Sequence, residues 1–224
     1  MMVSADTDPR RPGTIWMVNL DEPNPLITPL VHAVFCRVTP NDLSALASSM
    51  HSSTEEEIAS RFKSGCRCYA AWVGGKIEAY GWVSFIEEYM GEMNLRLKLL
   101  PGEAYIWDCV TLPAFRRKHL YSALLGFIFR ELHSENLCRT WIGADQNNTA
   151  SQLGILRAGF HHVADLEVHR VLALRQVWVY GDLNVPATIV AEVRRIFLND
   201  RDKVWLKAAS IATKSLSKNL AQIE

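Results

Sequence analysis

The sequence predicts a protein of the α/β class, and three stretches carry that expectation. Residues 104–125 pass from an apolar run through a proline turn and three basic residues into an amphipathic pattern, the mark of a buried strand feeding a helix. Residues 66–73 and 76–85 are strand-like and joined by Gly74-Gly75, which accept the positive φ of a primed hairpin turn. Residues 139–144 and 149–157 repeat the order of strand, then helix.

The remaining elements follow in chain order. Residues 14–20 read as a short strand before a proline-rich loop, and 31–38 as a strand entering the domain. Thr39-Pro40-Asn41-Asp42 starts a helix whose apolar stripe is Leu43, Leu46 and Met50. Ser53-Thr54-Glu55-Glu56-Glu57 opens a second helix with capping-box spacing, and Gly65 ends it. Leu95, Leu97 and Leu99 alternate with Arg96 and Lys98, as in a strand or an extended segment able to cover a site. The helix after the basic turn turns Leu120, Leu124, Phe127, Ile128 and Leu132 inward, and Gly159 closes the next helix. Residues 161–174 supply one long or two short strands. Beyond Pro186, Ile189, Val193, Ile196 and Phe197 form one helical face, and Trp205, Ala209, Ala212, Leu216 and Leu220 another. These faces must cover something: their own domain, or a second copy in a homodimer.

With 224 residues, 49% hydrophobic and 21% charged, the chain is globular and long enough to bury a core. The expected division is an N-terminal extension (1–30), one domain (31–180) and a C-terminal helical extension (181–224). Lys+Arg and Asp+Glu are both 24, so no global field draws in nucleic acid or an anionic membrane. Residues 1–13 hold no signal-peptide core, and no apolar run reaches the length of a membrane span, so a cytoplasmic protein is expected. Five cysteines form neither a disulfide framework nor a four-ligand metal pattern, and no metal is expected. Cys66 and Cys68 read as packed thiols on one strand face.

Arg116, Arg117 and Lys118 lie where a buried strand meets a helix N-terminus. First-turn N–H groups and the positive end of the helix dipole favour phosphate oxygens there, and the cations add to the attraction.

The segment Pro113-Ala114-Phe115-Arg116-Arg117-Lys118-His119-Leu120-Tyr121 resembles the pyrophosphate-binding pattern Arg/Gln-x-x-Gly-x-Gly/Ala of the GNAT superfamily of acyltransferases. Asn148-Thr149-Ala150-Ser151 followed by Arg157-Ala158-Gly159-Phe160 is similar to that family's second signature. His119 and Tyr121 stand at the family's glycine positions, and Ile155 stands where many members carry a tyrosine acid. The resemblance implies a mixed, mostly antiparallel sheet of about six or seven strands with helices on both faces. It further implies acyl transfer from acetyl-CoA or another acyl-CoA to an amine acceptor. The backbone from Arg117 through Lys118, His119, Leu120 and Tyr121 to Ser122 would hold the pyrophosphate, with Arg116 orienting the loop. Cys109, Val110 and Thr111 would offer strand-edge hydrogen bonds to pantetheine, and Asn148 and Ser151 would touch the cofactor besides opening their helix.

N-acyl transfer needs a base or water chain, an oxyanion donor and a proton source for the departing thiolate. Glu103 and Tyr105 share a strand face by period two, Glu103 being the candidate base and Tyr105 the proton donor or relay, while Asp108 is expected to face the other way. His161 and His162 should point to opposite sides of their strand. Trp72, Trp82, Tyr89 and Trp107 line an apolar acceptor surface or the core. Two alternatives stand beside the transferase: a donor carried on a carrier protein, and a domain that binds a ligand or partner without transfer.

Overall fold

The computed structural model describes residues 12–51, 53–90, 95–171, 174–197 and 202–207. In chain order these form β1 (Gly13–Asn19), β2 (Val34–Val38), α1 (Leu43–Ser49), α2 (Glu55–Lys63), β3 (Arg67–Val73), β4 (Lys76–Ser84), β5 (Glu87–Met90) and β6 (Leu95–Lys98). Then come β7 (Glu103–Thr111), α3 (Leu120–Ser134), β8 (Arg139–Asp145), α4 (Thr149–Arg157), β9 (His161–Val171), β10 (Leu174–Gly181), α5 (Ala187–Phe197) and β11 (Asp202–Lys207). Ala209 through Leu220 of the expected C-terminal face lie outside the described residues.

Local chemistry explains the short elements. Thr54 and Glu57 cap α2 reciprocally, Thr54 N–H donating to Glu57 Oε2 at 2.9 Å and Glu57 N–H to Thr54 Oγ1 at 3.3 Å. Gly74 and Gly75 take φ of 57° and 79°, so Val73 and Lys76 close the β3–β4 hairpin as a pair.

Nine strands make one sheet in the order β11-β10-β9-β1-β8-β7-β4-β3-β2, and β5 and β6 form a separate hairpin. Only the β7–β8 and β10–β11 neighbours run parallel. The sheet has more strands than the roughly six or seven expected, and three of them depart from the expectation, β10 because it extends beyond the 161–174 stretch read as strand. β1, placed by sequence in an extension ending at residue 30, lies inside the sheet, antiparallel to both β8 and β9. A boundary at residue 30 therefore cuts the core, because Ile15 and Met17 are buried on one face and Trp16 and Val18 on the other. Trp205, expected in a helix, lies in β11 opposite Trp178; three apolar residues, Val204 to Leu206, between charged ones are too few to distinguish the two periods.

The sheet separates two apolar layers. α3 and α4 cover one face, packing Leu120, Leu124, Leu125, Ile128 and Ile155 on Ala104, Ile106 and Ile142. α1 and α2 cover the opposite face at the β2–β4 end, where Leu46, Met50 and Ile58 meet Cys68, Tyr80 and Trp82. α5 and the β5–β6 hairpin cover that same face near β8–β10, and Trp107 joins the two clusters. Among the described residues, no helix is long and apolar enough to cross a membrane.

Candidate active site

The central parallel pair comes apart halfway. β7 and β8 are paired from Glu103↔Arg139 to Ile106↔Ile142; beyond that β7 continues with β4, to Ala79↔Thr111, and β8 with β1, to Gly13↔Asp145. The facing edges past Ile106 and Ile142 form a slot whose backbone groups can hydrogen-bond an extended ligand as a strand would. Cys109, Val110 and Thr111 lie on one edge. Among the described residues the buried Thr111 hydroxyl has no hydrogen-bond partner, and the Thr111 carbonyl accepts from Arg116 Nε at 3.2 Å.

The chain leaves this edge through a short 3-10 turn, Pro113–Phe115, and enters α3 by way of two left-handed residues, Arg117 at φ 60° and His119 at φ 57°. Each such conformation costs a residue with a Cβ about 1–2 kcal/mol, strain of the kind that collects at ligand sites. His119 thus keeps the backbone form that a glycine favours at this position. Among the described residues no side chain caps α3, and its hydrogen-bond ladder begins with Ala123 N–H to His119 O at 3.0 Å. The N–H groups of Leu120, Tyr121 and Ser122 precede that bond and have no partner within the helix. Arg116 and Arg117 are exposed, and Lys118 lies over the Phe115 ring at 4.8 Å, so the turn is cationic and open.

The Tyr121 side chain leaves the turn free. Its ring packs against the backbone of Gly154 in α4, and its hydroxyl lies 3.4 Å from Ser151 Oγ. Burial, ahead of the charge of neighbouring groups, holds that hydroxyl well above the ordinary tyrosine range. Asn148 caps α4 by accepting from Ser151 N–H at 3.0 Å. On the opposite face of the sheet Tyr105 is buried, with its hydroxyl 3.0 Å from where a Cβ on Gly143 would sit, just past the last β7–β8 pair. Burial, then the Asp108 carboxylate, raises the Cys109 thiol, which stays protonated and poorly nucleophilic.

The expectation that Glu103 acts as a base needs correction. Glu103 shares the Tyr105 side of the sheet, but it sits where β7 and β8 are still paired, at the end away from the slot. It is 4% exposed, both carboxylate oxygens accept from Arg195 Nη2 at 2.8 Å, one also accepts from Leu100 N–H at 2.9 Å, and Arg139 stands 3.6 Å away. A carboxylate so engaged anchors α5 to the sheet.

Asp108 also departs from the period-two expectation. Tyr80 pairs with Val110 but Trp82 pairs with Trp107, so β7 bulges at Asp108 and Cys109, and Asp108 takes φ 43°. The bulge brings the Asp108 carboxylate to the α2 side, in an ion pair with Arg61. Sequence reasoning missed Arg61, which reads only as a cation in the last turn of a helix. Its guanidinium lies over Trp107 at 4.7 Å and Trp82 at 5.1 Å. Trp72, on β3 opposite Val34, packs against the same cluster as Trp82 and Trp107, and Tyr89 is half-exposed on the hairpin.

Among the described residues, no group of three or more His, Cys, Asp or Glu side chains is placed to hold a metal ion.

The profile of the acetyltransferase (GNAT) family matches residues 38–160. None of the curated proteins matches. Similar solved structures include a GCN5-related N-acetyltransferase from Sphaerobacter thermophilus, with TM-score 0.52 and 16% identity over 69% of this chain and 49% of that one. They also include a GNAT-family acetyltransferase from Colwellia psychrerythraea, with TM-score 0.49 and 14% identity over 68% of this chain and 53% of that one. The chain thus spans about half the length of these structures, and at 16% identity the likeness to the Sphaerobacter thermophilus structure is one of fold.

Proposed function

Because the chain belongs to the acetyltransferase (GNAT) family, we propose that it transfers an acetyl or other acyl group from a CoA thioester to an amine. The observation that carries this reading is the slot between β7 and β8 opening beside an uncapped helix N-terminus. The donor's pyrophosphate would take the N–H groups of the turn from Arg117 to Ser122, beside the cations Arg116, Arg117 and Lys118. The β7 edge from Cys109 to Thr111 would meet the pantetheine amides, with the unpartnered Thr111 hydroxyl on that edge and Asn148 and Ser151 on the α4 side. His119 and Tyr121 fit this use, since one keeps the glycine-like backbone and the other turns its ring toward Gly154.

The thioester supplies the acyl group. The amine nitrogen bonds to the acyl carbon, the C–S bond breaks, and one proton passes, directly or through water, from nitrogen to sulfur. Held together in the slot, amine and thioester gain mainly from positioning. Tyr105 and Tyr121 reach the slot from opposite faces. A hydroxyl that stays protonated, as at Tyr121, can donate a hydrogen bond to the departing sulfur.

Calorimetric titration with acetyl-CoA and with CoA tests the reading, repeated on Arg116→Ala. Micromolar binding, about 8 kcal/mol, that weakens by about 1 kcal/mol or more in the variant is expected. Absence of binding would overturn the CoA reading and direct attention to a carrier-bound donor or a domain that binds without transfer.

A further inference from the structure

Of the charged clusters that the cradle and the slot leave unused, one is built on β7, the strand that forms an edge of the slot. The cradle lies on the α3 side of the sheet, so a donor entering from there brings its reactive end into the slot, and the nucleophile arrives from the opposite face. On that face Asp108 stands on β7 two residues past the last β7–β8 pair, joined to Arg61, whose guanidinium lies over Trp107.

We propose that this ion pair selects the acceptor, and that the acceptor carries a carboxylate beside its amine, as an amino acid or a short derivative of one does. The inference rests on the acyl-transfer reading above and deepens it.

The pair is only partly self-satisfied. Arg61 Nη1 meets Asp108 Oδ2, and among the described residues neither Asp108 Oδ1 nor the remaining guanidinium N–H groups have another protein partner. The two side chains are 24% and 29% exposed, open enough for a ligand to reach yet too enclosed to be fully hydrated. Trp82 and Trp107 fix the guanidinium against their rings, which leaves its in-plane N–H fork able to grip a carboxylate. The Trp107 ring is itself held, its Nε1 donating to Ser84 Oγ at 2.8 Å. The bulge at Asp108 fixes the other half beside the slot, where Oδ1 accepts an N–H of the amine and points its lone pair toward the thioester.

Charge balance gives the selectivity. A lone carboxylate would favour any cation, and a lone guanidinium any anion. A coupled pair repels each with one half and attracts a zwitterionic amino acid with both; its ammonium loses one proton to water before the nitrogen lone pair attacks.

Steady-state acetylation with acetyl-CoA tests this on a panel pairing each amino acid with the amine that lacks its carboxylate. Wild type is expected to favour the amino acid by about tenfold or more in kcat/KM, the worth of one charge-assisted contact. In Arg61→Met that ratio should collapse toward one, through a fall in kcat/KM for the amino acid. Arg61→Lys, which keeps the charge but loses the fork, should retain part of the preference; circular dichroism of each variant checks its fold. Equal use of both partners by wild type, or an unchanged ratio in Arg61→Met, overturns the inference. So does failure to acetylate any member while acetyl-CoA still binds. Failure to bind acetyl-CoA at all overturns instead the reading on which it rests.

Discussion

The ring of Tyr121 is seated against Gly154: a Cβ on that glycine would meet Tyr121 Cδ1 at 2.4 Å and Cε1 at 2.8 Å. A bulky side chain on α3 is thereby matched by the smallest residue on α4, and the phosphate turn stays open. Gly154→Ala should destabilise the protein by about 1–3 kcal/mol through overpacking, measured by urea unfolding. In a Tyr121→Ala background most of that cost should disappear; equal cost in both backgrounds would mean that the two residues are not coupled.

The position of β1 makes a second prediction. A chain beginning at residue 31 lacks the strand that bridges β8 and β9, and it exposes Ile142 and Trp141 on opposite faces. That truncation should yield no cooperative thermal unfolding, whereas the full chain should show one transition.

What was legible in the sequence and what was not divides along this line. The Thr54–Glu57 cap, the Gly74-Gly75 turn and the α3 stripe are local, so residue type and spacing within a few positions specify them. The register of β1 depends on residues more than a hundred positions away, such as Gly13 with Asp145, and leaves no local trace. The bulge at Asp108 likewise has no signature, since it reflects how β4 and β7 fit across the sheet, yet it decides which face the carboxylate takes. The basic turn was readable as a cation-rich helix start; the pairing of Tyr121 with Gly154 on a different helix was not.

Glu103 tests the separation of stability from catalysis. Arg195→Ala removes both 2.8 Å contacts to this buried carboxylate, and the expected loss is about 1.5–3 kcal/mol, moderated by Arg139 at 3.6 Å. Glu103→Gln should also lower stability while leaving turnover close to wild type. A large fall in kcat with unchanged unfolding would restore Glu103 as a base.

The two tyrosines can be told apart kinetically. If the Tyr121 hydroxyl donates to the departing sulfur, Tyr121→Phe should lower kcat by about tenfold or more with little change in KM for acetyl-CoA, a loss carried by the transition state. Donors with a more acidic leaving thiol should suffer less. The same pattern in Tyr105→Phe instead would assign the role to the opposite face.

His162 supplies a pH dependence that does not involve the slot. Its Nε2 lies 2.9 Å from Asp165 Oδ1 and its Nδ1 3.2 Å from Asp182 Oδ2, with the ring edge-on to Trp16 at 5.1 Å. Burial pulls its pKa down, but Asp165 and then Asp182 outweigh burial and hold it above the ordinary histidine value. A group raised on folding contributes fully at a pH below its unfolded value, about 6.5, and the contribution fades as pH rises through the folded value. Each pH unit between the two values is worth about 1.4 kcal/mol. Urea unfolding from about pH 6 to about pH 9 should therefore show stability falling with pH, and His162→Gln should flatten that fall. An identical slope in the variant would place the titrating group elsewhere. A flatter slope would tie it to the contact between β9 and the loop after β10, since Asp182 N–H also donates to Val163 O at 2.9 Å beside the ring.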